Sequence, residues 1–236
     1  SAEKYELKTP LFIAIENEYD DIVKLLLSNP NINVNMKSSE IRILASYKAQ
    51  KTPLYKAVEN KSTEIVKLLQ SNPNIDVNDL SIESTIKMTL KQTALYYAVE
   101  KKLTSIIALL LSNTNTNPNI KSEEILPDST LKSEKTPLFK AIQDRSLLII
   151  EFLVKYPSID VNVKSLETKN SSCGIMRCEK TPLYLAVENI QQEIIQTLLK
   201  NPKIDVNLLS CKTINIDGEN FIKTDSPLHI AALSEK

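Results

Sequence analysis

The chain has 236 residues, of which 42% are hydrophobic and 25% charged, the composition of an ordinary folded protein and not of a disordered one. Its 29 Lys and Arg residues balance 29 Asp and Glu, so it lacks the excess basic charge expected of a nucleic-acid binder. The longest helical apolar stretch, around Leu103–Leu111, falls well short of the ~20 residues needed to span a bilayer.

No basic start followed by an apolar run marks a secretory signal. Three cysteines, Cys173, Cys178 and Cys211, are an odd and sparse set that favours a reducing compartment. A cytoplasmic protein without membrane insertion is therefore expected.

Read in chain order, the sequence repeats itself. KTPLFIAIENEYDDIVKLLLSNPNINVN runs from Lys8 to Asn35, and KTPLYKAVENKSTEIVKLLQSNPNIDVN from Lys51 to Asn78. Further copies occupy Gln92–Asn119, Lys135–Asn162 and Lys180–Asn207, and a partial one begins at Asp225. The anchors Thr9, Thr52, Thr93, Thr136, Thr181 and Ser226 are 43, 41, 43, 45 and 45 residues apart. Pro10, Pro53, Pro137, Pro182 and Pro227 each follow an anchor, and Pro30, Pro73, Pro157 and Pro202 close the second apolar segment. Proline suits the first turn of a helix behind a Thr N-cap, and the residues just past a helix end. Each copy thus reads as helix, turn, helix, stop. In the second copy the helices are predicted over Pro53 to about Asn60 and about Thr63 to Ser71, with Ile65, Val66, Leu68 and Leu69 as the apolar face. Helices this short must bury their faces against neighbouring copies.

The strings TPLF, TPLY and TPLH followed by x-A, then IVKLL and D-V-N, resemble the ankyrin repeat. The likeness covers about 28 residues of each copy and recurs five times, with a partial sixth. It implies an α-solenoid, an ankyrin-type stack of β-hairpin and helix-turn-helix units, here expected as a single array over residues 1–236.

Three departures qualify that expectation. The spacing exceeds the family's ~33 residues, and the excess lies mostly in Met36–Gln50, Asp79–Lys91, Ile120–Glu134, Val163–Glu179 and Leu208–Thr224. These inserts are expected to be extended hairpins. The clearest is Ile214–Ile222, which alternates around an Asp217-Gly218 turn. Val163–Glu179 is expected to be the most mobile, because Lys169-Asn170-Ser171-Ser172 interrupts its strand pattern. The glycine that family members carry after the first helix is replaced by Glu18, Lys61, Lys102, Arg145 and Ile190. The preceding Asn17, Asn60 and Asn189 are the residues expected to turn left-handed instead. In the third copy, Ala94 stands for the usual proline and Pro118 for the valine, so that copy is expected to pack or bend differently. The last copy stops before its second helix, which leaves open a fragment of a longer protein or an array capped by its own partial repeat.

Chemistry is sparse. His229 is the lone histidine and occupies the H of TPLH, where the resemblance implies a structural hydrogen bond. Cys211 with His229 lacks a third group to complete a nucleophile, and Cys173, Cys178 and Cys211 lack a fourth metal ligand. No phosphate-loop or dinucleotide fingerprint is present. No catalytic residue, cofactor or metal is assigned, and the chain is expected not to be an enzyme. Phe12, Tyr55, Tyr96, Phe139 and Tyr184 recur once per copy, as core packing residues would.

The resemblance places the ends of the first helices in the concave groove where ankyrin arrays commonly bind partners. Glu16, Glu59, Glu100, Gln143 and Glu188 stand there, followed by Asn17, Asn60, Lys101, Asp144 and Asn189. These ten are the candidate partner-binding residues. Lys8, Lys51, Lys135 and Lys180 form a parallel basic row, so two readings stand: the rows pair with each other, or an acidic stripe faces a basic partner. The expected function is a protein–protein interaction scaffold with an unidentified protein partner and no nucleic acid. The rival readings are a targeting arm of a larger enzyme or channel, and a small-molecule or oligonucleotide binder.

Overall fold

The computed structural model describes residues 3–128, 131–171, 174–216 and 219–234. Two compact units divide the chain, Ser1–Asn117 with Glu124–Ser129 and Pro118–Glu123 with Thr130–Lys236. The first boundary falls at Pro118, one of the two residues that set the third repeat apart in sequence.

The first unit runs β1 (Lys4–Leu7), α1 (Pro10–Glu16), α2 (Asp20–Leu27), β2 (Ser38–Arg42), β3 (Tyr47–Lys51), α3 (Pro53–Glu59), α4 (Thr63–Gln70), β4 (Ser81–Ser84), β5 (Thr89–Gln92), α5 (Ala94–Glu100) and α6 (Thr104–Ser112). Next, β6 (Ser122–Ile125) carries residues of both units. The second unit continues with β7 (Leu131–Lys135), α7 (Pro137–Gln143), α8 (Leu147–Val154), β8 (Ser165–Ser171), β9 (Gly174–Lys180), α9 (Pro182–Glu188), α10 (Gln192–Leu199), β10 (Ser210–Ile216), β11 (Glu219–Asp225) and α11 (Pro227–Ser234).

Every first helix starts as its sequence predicts. The Thr52 hydroxyl accepts from the Tyr55 N–H at 3.0 Å, and Thr9, Thr93, Thr136 and Thr181 cap their helices in the same way. Thr93 does so before Ala94 as well as the others do before proline, so the start of that helix is unchanged. The two predicted helices of the second repeat form over Pro53–Glu59 and Thr63–Gln70. In the first unit α1, α3 and α5 pack side by side, as do α2, α4 and α6; in the second, α7, α9 and α11 do, with α8 against α10. The aromatic column lies in these cores: Phe12, Tyr55, Tyr96, Phe139 and Tyr184 are all buried.

The first helices of the five full repeats each end in one hydrogen-bonded turn. In the second repeat the Lys61 N–H donates to Val58 O at 3.0 Å, and the Ser62 N–H to Ala57 O at 3.1 Å. That pattern is a Schellman motif, and it requires a left-handed residue where Lys61 stands. Glu18, Lys61, Lys102, Arg145 and Ile190 accordingly have φ of 56°, 59°, 57°, 53° and 54°. The expectation that the asparagines take this conformation is corrected. Asn17, Asn60 and Asn189 keep φ of −96°, −71° and −94°, because a left-handed residue one place earlier would break both return bonds. The amides of two of them serve the helix ends instead. Asn17 Nδ2 donates to Ile13 O and Asn60 Nδ2 to Ile15 O, both at 2.8 Å.

A left-handed conformation costs an ordinary residue roughly 1–2 kcal/mol, and most for a β-branched side chain. Ile190 is 75% exposed and therefore gains little packing in return. Ile190→Gly is expected to stabilise the second unit by about 1 kcal/mol, read as a higher urea midpoint at unchanged slope. A lower midpoint would show that Ile190 makes contacts worth more than its strain.

The inserts form antiparallel pairs: β2 with β3, β4 with β5, β8 with β9 and β10 with β11. The Asp217-Gly218 turn lies outside the described residues, but Ile214 and Ile222 stand on paired strands as their alternation predicts. Of the interruption expected at Lys169-Asn170-Ser171-Ser172, Ser172 lies outside the described residues and the remainder is corrected. These residues pair in register with Met176, Ile175 and Gly174. Strand propensity depends on the partner, and β9 supplies Ile175 and Met176 as partners.

Asparagine joins successive repeats. In the first unit, Asn78 Nδ2 donates to Asn115 O and Asn78 Oδ1 accepts from the Asn117 N–H, both at 2.8 Å; Asn35 does the same to Asn74 and Asp76. In the second unit, Asn162 holds Lys203 O at 2.7 Å and the Asp205 N–H at 2.9 Å, and Asn119 holds Ser158 and Asp160. The N of D-V-N is thus a two-ended staple, a role its recurrence alone did not reveal.

Candidate functional site

The first helices and the hairpins beside them bring the two rows together in the repeats that carry the lysine; in the third repeat Gln92 stands in its place. Lys8 and Lys51 each sit eight residues before a glutamate and directly before the Thr cap, Lys8 just past the end of β1 and Lys51 at the end of β3. Lys8 Nζ lies 2.7 Å from Glu16 and Lys51 Nζ 2.6 Å from Glu59. A strand carboxylate closes the cluster from the other side: Glu6 at 2.8 Å from Lys8, and Glu83 bonded to Lys51. In the second unit Lys180 Nζ lies 2.5 Å from Glu188, and Lys135 Nζ lies 2.7 Å from Glu167 and 3.2 Å from Gln143. Of the two readings of the rows, the geometry carries the paired one. The glutamates are not a stripe of uncompensated charge.

Burial on its own lowers the pKa of the Lys51 ammonium, but bonds from Glu59 and Glu83 outweigh it and hold it above the ordinary lysine value. Lys51 also lies 5.8 Å from the Tyr55 ring centroid, and Lys180 5.9 Å from that of Tyr184. Burial in turn pushes both phenols upward, Tyr184 to about 12, and the Tyr55 hydroxyl donates to Gln92 Oε1 at 3.1 Å. The lysines therefore sit between the buried aromatic column and the glutamate row.

The remaining candidates divide by unit. In the first, Glu100 is 3.3 Å from Lys101, which also lies 5.3 Å from the Tyr97 ring centroid, and the Asn17 and Asn60 amides are occupied as described above. In the second, Asp144 holds Lys140 at 2.9 Å, Gln143 reaches Glu167 at 3.2 Å, and Asn189 is exposed. A serine row escaped sequence reading. Ser81 Oγ accepts from the Thr52 N–H at 3.0 Å, and Ser165 and Ser210 do so from Thr136 and Thr181. The signal was a serine three residues after every stapling asparagine.

His229 Nδ1 lies 2.7 Å from the Ser226 hydroxyl, at the start of α11. Cys211 has the Thr213 hydroxyl at 3.6 Å, and buried Cys178 is free, opposite Lys212 in the sheet while Cys211 is opposite Glu179. Facing residues of a pair project from one side and neighbours from opposite sides, so these two thiols leave opposite faces. Cys173 lies outside the described residues. Among the described residues no three His, Cys, Asp or Glu side chains converge to hold a metal ion. No helix among them is long and apolar enough to cross a membrane.

Comparison with known proteins agrees with this architecture. The model of ankyrin repeats in three copies matches residues 39–122, 80–165 and 122–210, and the single ankyrin-repeat model matches 6–39. A solved structure titled as that of EF0377, an ankyrin repeat protein, is similar to this chain with a TM-score of 0.55 at 18% identity. The alignment covers 95% of this chain and 91% of that one, and it shows the fold alone. No curated protein sequence matches the chain. Ankyrin repeats are generally protein–protein interaction modules and typically not enzymes. With family models matching from residue 6 to residue 210, the chain belongs to the ankyrin repeat family.

Proposed function

We propose that the chain is a non-enzymatic, cytoplasmic interaction scaffold that holds a protein partner along the ends of its first helices and the extended hairpins beside them. The contact residues in the first unit are Glu16, Asn17, Glu59, Asn60, Glu100 and Lys101; those in the second are Gln143, Asp144, Glu188 and Asn189. One contrast within the chain carries this reading. Across the five full repeats, positions with structural work keep their residue: the Thr cap, the Ala five places on and the Asn of the staple position. The positions closing the first helices vary more: Asn17, Asn60 and Asn189 give way to Lys101 and Asp144, and the next position differs more, with Glu18, Lys61, Lys102, Arg145 and Ile190. Repeat proteins place partner-specific side chains on a shared fold in this way.

The glutamates need to be tested without breaking the lysine clusters. Gln143 supplies the design, since it bonds Lys135 at 3.2 Å in place of a carboxylate. A Glu59→Gln/Glu100→Gln chain is expected to bind a partner recovered by affinity purification about tenfold more weakly, a loss near 1.4 kcal/mol. It should also show less weakening with added salt, because charge at a partner contact is screened over about 8–10 Å at physiological ionic strength. Lys24→Gln/Lys67→Gln, on the outer side of the second helices, is expected to leave binding unchanged. After circular dichroism has established the fold, equal affinity of the glutamine variant and the unmodified chain would sink the reading.

A further inference from the structure

The last hairpin departs from a rule that the others keep. Five residues after each stapling asparagine stand Glu40, Glu83, Glu124 and Glu167, but after Asn207 stands Lys212. At this position Glu83 bonds Lys51 and Glu167 bonds Lys135. The residue directly across the hairpin is Ala49 for Glu40, Leu90 for Glu83 and Cys178 for Glu167, yet Lys223 for Lys212. Two positions that face each other have both become lysine, and directly opposed like charges weaken a sheet.

These lysines border a cleft of about 400 Å³ in the second unit, which Lys180, Tyr184, Met176 and Ile230 also line. The other charged groups in its wall are accounted for: Lys180 lies 2.5 Å from Glu188, and Lys223 3.0 Å from Asp225. Lys212 is exposed and has no ion-pair partner among the described residues. Three ammonium groups against two carboxylates leave the wall one positive charge in excess.

We propose that this cleft receives an acidic side chain, Asp or Glu, from a peptide segment of the protein partner. An incoming carboxylate would supply the negative charge that Glu83 and Glu167 supply to the corresponding clusters. It would meet the exposed Lys212 and Lys223 beside Met176 and Ile230, which line the same cleft. The proposal rests on the protein-binding reading and adds to it a contact of opposite sign.

The test uses the full chain and a fluorescein-labelled octaglutamate peptide, followed by fluorescence anisotropy at fixed low salt. The unmodified chain is expected to bind it, and Lys212→Glu to weaken binding by at least about tenfold. Lys212→Glu restores the residue type of the other hairpins, so its unfolding midpoint is expected to hold or rise. Lys48→Glu, an exposed strand lysine of the first unit, makes the same change in net charge and is expected to keep the affinity. Three results would overturn the proposal: no binding by the unmodified chain, equal binding by Lys212→Glu, or an equal loss in Lys48→Glu. Displacement of the peptide by equimolar inorganic phosphate would overturn the peptide as occupant in favour of a free anion. None of these readouts uses Glu59 or Glu100, so the cleft and the wider partner-binding reading fail separately.

Discussion

Leu69→Ala is expected to destabilise the first compact unit by about 2–5 kcal/mol, the range for a fully buried leucine whose site collapses only partly. Leu69 has no exposed surface, and its helix α4 packs against α2 on one side and α6 on the other. An eight-residue helix such as α4 is far shorter than the ~12–15 residues at which isolated helices become even marginal. Its stability is therefore borrowed from both neighbours, and theirs from it. Hydrogen exchange on Leu69→Ala should show protection falling in α2 and α6 together with α4. Leu68→Ala, at a half-buried position, should cost less and spread less. Loss of protection confined to residues 51–78 would show that the repeats of this unit fold independently.

Much of this architecture was legible because its determinants are local. A Thr, a Pro and an apolar residue every three or four places specify where a helix begins and which face it buries, and these recur with each repeat. The left-handed residues were harder to read. Asparagine before lysine suggests by propensity that asparagine turns, yet the return bonds of the Schellman motif fix the turn on Lys61 whatever its side chain. The staples and the serine row join residues 29 to 43 positions apart, such as Thr52 with Ser81 and Asn162 with Asp205, so only the assembled hairpins disclose them. The charged rows lie between these cases. Lys51 and Glu59 recur visibly, but pairing depends on how the strand end meets the helix end, and sequence spacing left it open. Lys212 became informative only once Glu83 and Glu167 had a structural duty that it reverses.

Ser81→Ala is the most economical test of those long-range bonds. The Thr52 N–H donates to Ser81 Oγ at 3.0 Å, and both residues are almost fully buried, at 3% and 2% exposure. Removing the hydroxyl deletes one acceptor and leaves a main-chain donor in a place water does not reach. A stranded buried donor costs about 1–3 kcal/mol, whereas the lost hydroxyl itself costs little. Thr52 also caps α3 through its side chain to Tyr55, so a shift of its backbone would loosen that cap as well. A loss of about 2 kcal/mol is therefore expected for Ser81→Ala in urea unfolding. Ser38→Ala offers the internal comparison. Its partner Thr9 is less buried, and the bond is longer at 3.4 Å, so solvent can replace the acceptor and the loss should stay under about 1 kcal/mol. Equal losses at the two sites would mean that burial of the Thr N–H does not set the cost. No loss at Ser81 would mean that the serine row is incidental to how the hairpins meet the helices.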